Sequence, residues 1–379
     1  MEDNSSKIKL VQIVNTLAIS DGGPARHAWE LSNAINSLPN SKSELLYFVG
    51  SRVGSVFEAE SEIRQEKNLK LPKKISMFKH SLLEINLTNA IRAIRDADAL
   101  LLHGYYLVWS PLVAVVSRMC GTKILLIPHG SLTEWQSRTH PVRKKIWNSS
   151  VGRITRRLVT KFLVGSEQEL RDLVARFPNM NVSVIGVGTK LGDIRENRSE
   201  IHNPVRLLSL SRISPKKQIE LSIEATRKLL DQGFQVVLKI AGDADNDYGR
   251  KLENLVKELS LEANVKFLGQ IEGNLKSDLL YGSDIFLLPS ADENFGIAVA
   301  EAAAHGLPVV ASAQVASAYL LRRPVRVILQ ANSSKHVADA IVEICTLDFP
   351  KLRLDAQLQA SKVFTWEATA LRLIGQVTN

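Results

Sequence analysis

The apolar positions of this chain fall into short unbroken runs separated by longer mixed stretches. Lys7–Thr16 (KIKLVQIVNT) alternates and then turns wholly apolar, which predicts a first strand. Ser43–Val49, Asp98–His103, Lys123–Ile127, Phe162–Val164 and Val182–Ile185 repeat the theme. Such runs suit parallel strands buried on both faces. Pro24–Leu38, Leu82–Arg95 and Glu167–Arg176 read as intervening helices, while residues 50–80 read as irregular. Lys190–Pro204 is polar and without period, a candidate linker. From Val205 a second series begins, with strands expected at 205–211, 235–241, 265–268, 285–288, 309–311 and 325–329. Helices are expected at 218–232, 248–259, 275–281, 295–305 and 334–347, and Thr365–Val377 reads as a terminal helix. Strands alternating with helices imply an α/β protein of two Rossmann-like, doubly wound parallel-sheet domains. The expected division is 1–190, a linker 191–204, 205–362, and a terminal segment 363–379.

In doubly wound sheets ligands bind beyond the carboxyl ends of the strands. Gly22, Gly23, His103 and His129 are expected there in the first half. Gly22 and Gly23, between strand and helix, suit a phosphate or sugar approaching backbone amides. In the second half Arg212 and Lys217 join a strand to a helix and supply cations there. Ser283–Ser312 reads as strand, loop, helix, strand, with a helix expected over Phe295–His305. Glu293 precedes that helix and Glu301 lies inside it. Eight residues span about 800° of helix, close to one face. The backbone N–H groups of Asn294, Phe295, Gly296 and Ile297 would open the helix towards a ligand. The plainer reading is that Glu293 complements the helix dipole and Glu301 is solvated.

The same segment resembles the E-x7-E motif of retaining glycosyltransferases with the GT-B fold (glycosyl transferases group 1, glycosyltransferase family 4). Pro289, Ser290, Glu293, Phe295, Gly296, Glu301, Ala302, Gly306, Pro308, Val309, Val310 and Ala311 carry the likeness. It is strongest over Val205–Ser312 and weaker over Lys7–Gly188. The resemblance implies two domains facing across a cleft, the first for the acceptor and the second for a nucleotide-sugar donor, with the terminal helix crossing back to the first. It implies retention of anomeric configuration, without a metal or other cofactor. The partners implied are a UDP- or GDP-sugar and a glycan or lipid-linked acceptor. His129, in Pro128-His129-Gly130, matches a histidine that approaches the donor sugar. Arg212 and Lys217 match the R-x4-K pair on the diphosphate, and Gly22 and Gly23 a Gly-Gly pair lining it. Gly269 and Ile271 belong to an F-L-G turn meeting the base. Glu301 corresponds to a ribose ligand, and Glu293 to one holding sugar hydroxyls. The sequence departs from the pattern at Gln218, where Gly is usual, at Val187-Gly188 and at Gln314–Ser317. An epimerase of the same fold, or a sugar-nucleotide-binding protein without turnover, remains an alternative. The fingerprint G-x-G-x-x-G is absent, which argues against a dinucleotide-dependent oxidoreductase.

Charge changes the picture in the first half only. Residues 1–199 carry 28 Lys+Arg and 18 Asp+Glu, against 20 and 21 in the remainder. Trp135–Ser166 holds Arg138, Arg143, Lys144, Lys145, Arg153, Arg156, Arg157 and Lys161 with no acidic residue. Apolar residues recur there at near-helical spacing from Val142 to Leu158, and Trp135 and Trp147 are candidate interface anchors. The pattern fits docking on an anionic membrane, or a solvated domain helix; no nucleic-acid motif accompanies it. Two cysteines, Cys120 and Cys345, and a polar N-terminus point to a reducing, cytoplasmic setting, at most peripheral to the membrane. The uncharged stretch Ala99–Ser117 approaches membrane-spanning length but contains His103, Gly104, Ser110 and Pro111, so a strand, a loop and a core helix are expected. Asp243, Asp245 and Asp247 lack the glycine and glutamate of a calcium loop. They remain a lesser candidate for a metal site.

Overall fold

The computed structural model describes residues 7–15, 23–49, 75–79, 87–133, 136, 140–192, 200–271, 273–293 and 295–378. The chain divides into two compact units, one of Met1–Gly188 with Trp366–Asn379 and one of Thr189–Thr365. Gly22, Asn294, Trp135 and Arg138 lie outside the described residues.

The first unit runs β1 (Ile8–Val14), α1 (Gly23–Ser37), β2 (Ser41–Val49), β3 (Ile75–Lys79), α2 (Leu87–Arg95), β4 (Ala99–His103), α3 (Ser110–Met119), β5 (Lys123–Ile127), α4 (Pro141–Ser149), α5 (Val151–Leu158), β6 (Lys161–Val164), α6 (Glu167–Arg176) and β7 (Val182–Val184). Its parallel sheet has the order β3-β2-β1-β4-β5-β6-β7. The β3 strand falls in a stretch expected to be irregular; it gains its order by pairing with β2, from Leu45↔Ile75 to Val49↔Lys79. All of Ala99–His103 is buried, as a central parallel strand requires. The helix α3 follows it after a loop, and among the described residues no helix is long and apolar enough to cross a membrane.

The second unit runs β8 (Val205–Leu210), α7 (Ile219–Asp231), β9 (Val236–Ala241), α8 (Asp247–Glu258), β10 (Val265–Phe267), α9 (Gly273–Tyr281), β11 (Ile285–Leu288), α10 (Ile297–Ala304), β12 (Val309–Ala311), β13 (Arg326–Ile328), α11 (Ser334–Cys345) and α12 (Phe349–Val363). Its sheet, also parallel, has the order β10-β9-β8-β11-β12-β13. The segment expected as a linker is anchored in this unit where described: the Gly192 N–H donates to the Ala304 carbonyl at 3.3 Å, and His202 Nδ1 pairs with Asp284 at 2.7 Å. The α12 helix was not expected from the sequence; Asp348 caps its start by accepting the Lys351 N–H.

The terminal helix α13 (Trp366–Thr378) belongs to the first unit. Ala370, Leu373 and Val377 enter the core formed by Leu31, Ile35, Leu101, Leu125 and Leu163. Lys123 Nζ donates to the Val377 carbonyl at 2.7 Å, and Arg372 Nε to the Ile185 carbonyl at 2.7 Å. Leu373 is fully buried. Leu373→Ala is expected to cost about 2–5 kcal/mol in urea unfolding, the range for cavity-forming truncations of buried leucine. A loss below about 1 kcal/mol would mean that the helix is not part of this core.

Candidate active site

Each sheet reverses its strand order at one place, between β1 and β4 in the first and between β8 and β11 in the second. Loops leave opposite faces there and open a crevice at the strand ends. In the second unit these are the loops after Leu210 and after Leu288. A turn of 3-10 helix, Pro215–Lys217, carries Lys216 and Lys217. The Ala291 N–H donates to the Lys216 carbonyl at 2.7 Å, tying the two loops together. Across this tie Lys217 Nζ donates to Glu293 Oε2, and Lys216 Nζ lies 3.6 Å from Asp292. Both members of the Lys217–Glu293 pair are largely buried, with side chains 10% and 14% exposed. Arg212 is exposed and has no ion pair among the described residues. Gln218 takes the left-handed conformation at φ 47°, the geometry for which glycine is the ready choice.

Glu293 is not one end of a continuous helix. Gly296 is left-handed at φ 84°, and α10 starts only at Ile297. The helical phase expected between Glu293 and Glu301 therefore does not apply. Glu301 instead meets its own cation, Lys276, whose Nζ donates to Oε1 at 2.5 Å. A side chain at Gly296 would lie 2.6 Å from Val315 and 2.8 Å from Ser317. Ser317 fixes the turn by donating its N–H to the Phe295 carbonyl and its hydroxyl to the Gly296 carbonyl, both at 2.8 Å. The Phe295 ring is buried against Phe364. Ile297 is exposed at the helix start. The Gly242 N–H donates to the Gly269 carbonyl at 2.8 Å, joining the ends of β9 and β10 near Ile271. Gly269 is left-handed at φ 69°. Asp243 and Asp247 are engaged locally, Asp243 with the Asp245 N–H at 3.0 Å and Asp247 with Arg250 at 2.5 Å.

The first unit holds a cavity of about 460 Å³ at its own switch point, lined by Asn15, Pro24, His103, Tyr105, Tyr106 and His129 among others. Gly23 is the first residue of α1, beside this lining. Three histidines meet here. His103 Nε2 faces Gln12 Oε1 at 2.8 Å, and its Nδ1 faces His129 Nε2 at 3.0 Å. Gln12 Nε2 donates to the Ser43 hydroxyl at 2.8 Å, which leaves its carbonyl oxygen to accept. His103 must therefore carry its proton on Nε2, and His129 must donate from Nε2 to His103 Nδ1. His27 stacks edge-on against His129 at 5.0 Å and Trp366 at 5.2 Å. Burial holds all three imidazoles neutral: it lowers His27 to about 4, and His103 and His129 well below the ordinary value. His129 is left-handed at φ 52°, and its loop is clamped by Glu169. That buried carboxyl accepts the Gly130 N–H at 2.6 Å and the Gly165 N–H at 2.9 Å, and burial raises its pKa. Burial also pushes Tyr105 up to about 12.

Residues 192–362, a little under half of the chain, match the family model described as Glycosyl transferases group 1. The Lys217–Glu293 and Lys276–Glu301 pairs both lie inside this stretch. The amylovoran biosynthesis glycosyltransferase AmsK of Erwinia amylovora is 35% identical over 35% of this chain and 33% of its own length. The putative colanic acid biosynthesis glycosyltransferase WcaL of Escherichia coli is 34% identical over 29% of this chain and 28% of its own. The alignments thus span about a third or less of these relatives. In fold the likeness is nearly complete. HepE from Anabaena, solved with UDP and glucose, superposes with a TM-score of 0.71 over 98% of this chain and 99% of that one, at 17% identity. TarM gives 0.74 over both whole chains at 12%. The fold is the GT-B α/β fold of these structures.

Sequence reasoning named His103 and His129 but not Gln12, His27 or Glu169. Gln12 sits in an apolar strand, and a lone polar residue there is the one signal that could have pointed to a buried network. The low pKa of His27 has a measurable consequence. The unfolded chain protonates this imidazole below about 6.5, whereas the folded protein resists until about 4. Stability is therefore intact above the ordinary value and falls as pH drops below it, by about 2 kcal/mol at pH 5 at 1.36 kcal/mol per unit. Urea unfolding at pH 7 and pH 5 should show His27→Leu losing less stability than the parent by about that amount. Equal losses would contradict a buried neutral His27.

Proposed function

We propose that this protein is a retaining glycosyltransferase, moving a sugar from a nucleotide-sugar donor to a glycan or lipid-linked acceptor in polysaccharide or glycolipid assembly. The observation that carries this reading is the buried Lys217–Glu293 pair at the switch point of the stretch that matches Glycosyl transferases group 1. Similar proteins support it: HepE was solved with UDP-glucose, and AmsK and WcaL are glycosyltransferases, the latter putative, of amylovoran and colanic acid biosynthesis.

In this reading the second unit binds the donor and the first the acceptor. Lys217 and the exposed Arg212 take the diphosphate and offset the charge that grows on it as the sugar leaves. The first N–H groups of α10 add a partial positive charge. Glu293 accepts hydroxyl protons from the donor sugar, and Glu301, with Lys276 on one oxygen, accepts ribose hydroxyls with the other. Gly269 and Ile271 meet the base through the backbone, and Gly22 and Gly23 line the donor from the first unit. His129 offers Nδ1 to a sugar hydroxyl, since Nε2 is committed to His103. No metal is required at the leaving group in this scheme, because the two cations do that work. Arg212→Ala and Lys217→Ala are each expected to lower transfer by about 10²–10³. Transfer by the parent should survive EDTA. Release of nucleoside diphosphate from a panel of UDP- and GDP-sugars, with product anomers read by NMR, is the measurement. Near-normal turnover in folded Lys217→Ala would reject the role, and an inverted product would reject retention.

The basic stretch supports a further part of the reading, that the protein works from the cytoplasm on an anionic membrane surface. It is not one helix: Ser149 and Ser150 hydroxyls bond the carbonyls of Lys145 and Ile146, and the chain breaks between α4 and α5. Trp147 turns inward against Tyr106, and Arg156 donates to the Tyr105 hydroxyl, so neither is an interface group. Val142, Ile146 and Ile154 are exposed beside Arg143, Lys145, Arg153 and Arg157. On α3, which packs on α5, Leu112, Val115 and Met119 are also exposed, with Val108 just before it. Each cation near an anionic surface contributes about 1 kcal/mol. Co-sedimentation at low salt should capture the protein on anionic but not neutral vesicles, with release by salt and by joint replacement of Arg143, Lys145 and Arg153 with Glu. Equal behaviour towards both vesicle types would remove the idea.

A further inference from the structure

Three histidines of the first unit meet in an arrangement whose use does not depend on the transfer reading. One nitrogen from each of His27, His103 and His129 lies within 4.8 Å of the others. His27 Nδ1 is buried with no hydrogen-bond partner. An uncompensated polar atom in such a place costs stability unless something meets it. His103 has the arrangement typical of a metal-ligating imidazole, one ring N–H donated to an oxygen, here Gln12 Oε1, and the other nitrogen turned to the cluster. The wall also opens on a cavity, which leaves room for a fourth ligand.

We propose that His27, His103 and His129 bind a divalent transition metal of the zinc class, with the fourth position open to the cavity. Imidazole nitrogens suit zinc, cobalt, nickel and copper, whereas calcium and magnesium need oxygen ligands that this cluster lacks. A tetrahedral ion held at about 2.0–2.1 Å from each nitrogen sets them about 3.4 Å apart. The His103–His129 pair stands at 3.0 Å, and the remaining separations, within 4.8 Å, close by at most about 1.4 Å. Binding replaces the hydrogen bond between these two rings. The proton on His129 Nε2 moves to its Nδ1 by way of water, and Nε2 then gives its lone pair to the ion. His103 keeps its proton on Nε2, towards Gln12. All three ligands are neutral beforehand, so no net proton is released at neutral pH.

The test uses the full chain, stripped with EDTA and desalted, and titrated with cobalt(II). Expected is an intense visible d–d spectrum of tetrahedral type, saturating at a single equivalent and abolished by zinc but not by magnesium. The sequence holds 8 histidines, so the site must be located by substitution. His27→Leu, which keeps the volume filled, and His103→Ala should each remove the spectrum while circular dichroism stays unchanged. Gln12→Leu should weaken cobalt binding by about 10–100-fold, the usual effect of losing the group behind a ligand. A weak octahedral spectrum in the parent, or a tetrahedral one retained in folded His27→Leu, overturns the proposal. If His103→Ala does not fold, His27→Leu and Gln12→Leu decide alone.

Discussion

A parallel sheet covered on both faces presents chemistry to solvent only where its strands end. Every residue of β4 and β11 is buried. Their neighbours leave the sheet on opposite faces, so the loops after them part and leave a crevice. Everything with chemical character in this chain follows that constraint. Lys216, Lys217, Asp292 and Glu293 come from the two loops at the switch point of the second sheet. Asn15, His103 and Gly104 occupy the matching place in the first. The helices add His27 on α1, Glu169 on α6 and the Lys276–Glu301 pair on α9 and α10.

Buried charge sets the next constraint. Lys217 and Glu293 lie where an isolated charge would be costly, and each sits directly against its partner. Removing one partner leaves the other exposed to that cost, so neither residue is independently replaceable. Lys276 and Glu301 repeat the arrangement with side chains 22% and 13% exposed. A diphosphate reaching Lys217 exchanges one anion for another, so a cation already desolvated by Glu293 changes partner without a further large loss of hydration. In the first unit the same problem is solved without charge. Burial keeps three imidazoles neutral, and Glu169 is the one buried carboxyl among the described residues of that unit, satisfied by two backbone N–H groups from adjacent loops.

Strand runs such as Leu100–Leu102 and Ile285–Leu288 are legible because burial on both faces leaves no other composition open to them. The E-x7-E segment is legible because its glycines and prolines answer local backbone demands. Its geometry is less so. Alanine-rich composition favours helix from Phe295 onward, but the Ser317 contacts hold Gly296 left-handed and delay the start to Ile297. These contacts join residues 21 positions apart, and no local pattern encodes them. The same holds for β3, which pairs with β2, and for Gln12 and His103, 91 positions apart in sequence. Charge counts mislead in a related way. Arg156 adds to the basic stretch in sequence, yet it spends its donors inside the fold on Tyr105 and Asn148.

The two switch points carry different chemistry on one topology, and the difference matches the proposed ligands. A diphosphate is anionic throughout and gains charge as its bond to sugar breaks, so fixed cations suit the second unit. A sugar, unlike a diphosphate, is neutral and presents hydroxyl donors. A lysine at His129 would offer only donors to it, and a carboxylate there would face a cavity walled by buried groups. A neutral imidazole whose Nε2 proton is committed to His103 presents a lone pair on Nδ1 and no charge to desolvate. The chain from Ser43 through Gln12 and His103 to His129 is what fixes that choice. A zinc-class ion would instead take the Nε2 lone pair of His129 and leave the proton on Nδ1, so sugar and metal call for opposite tautomers of the same ring.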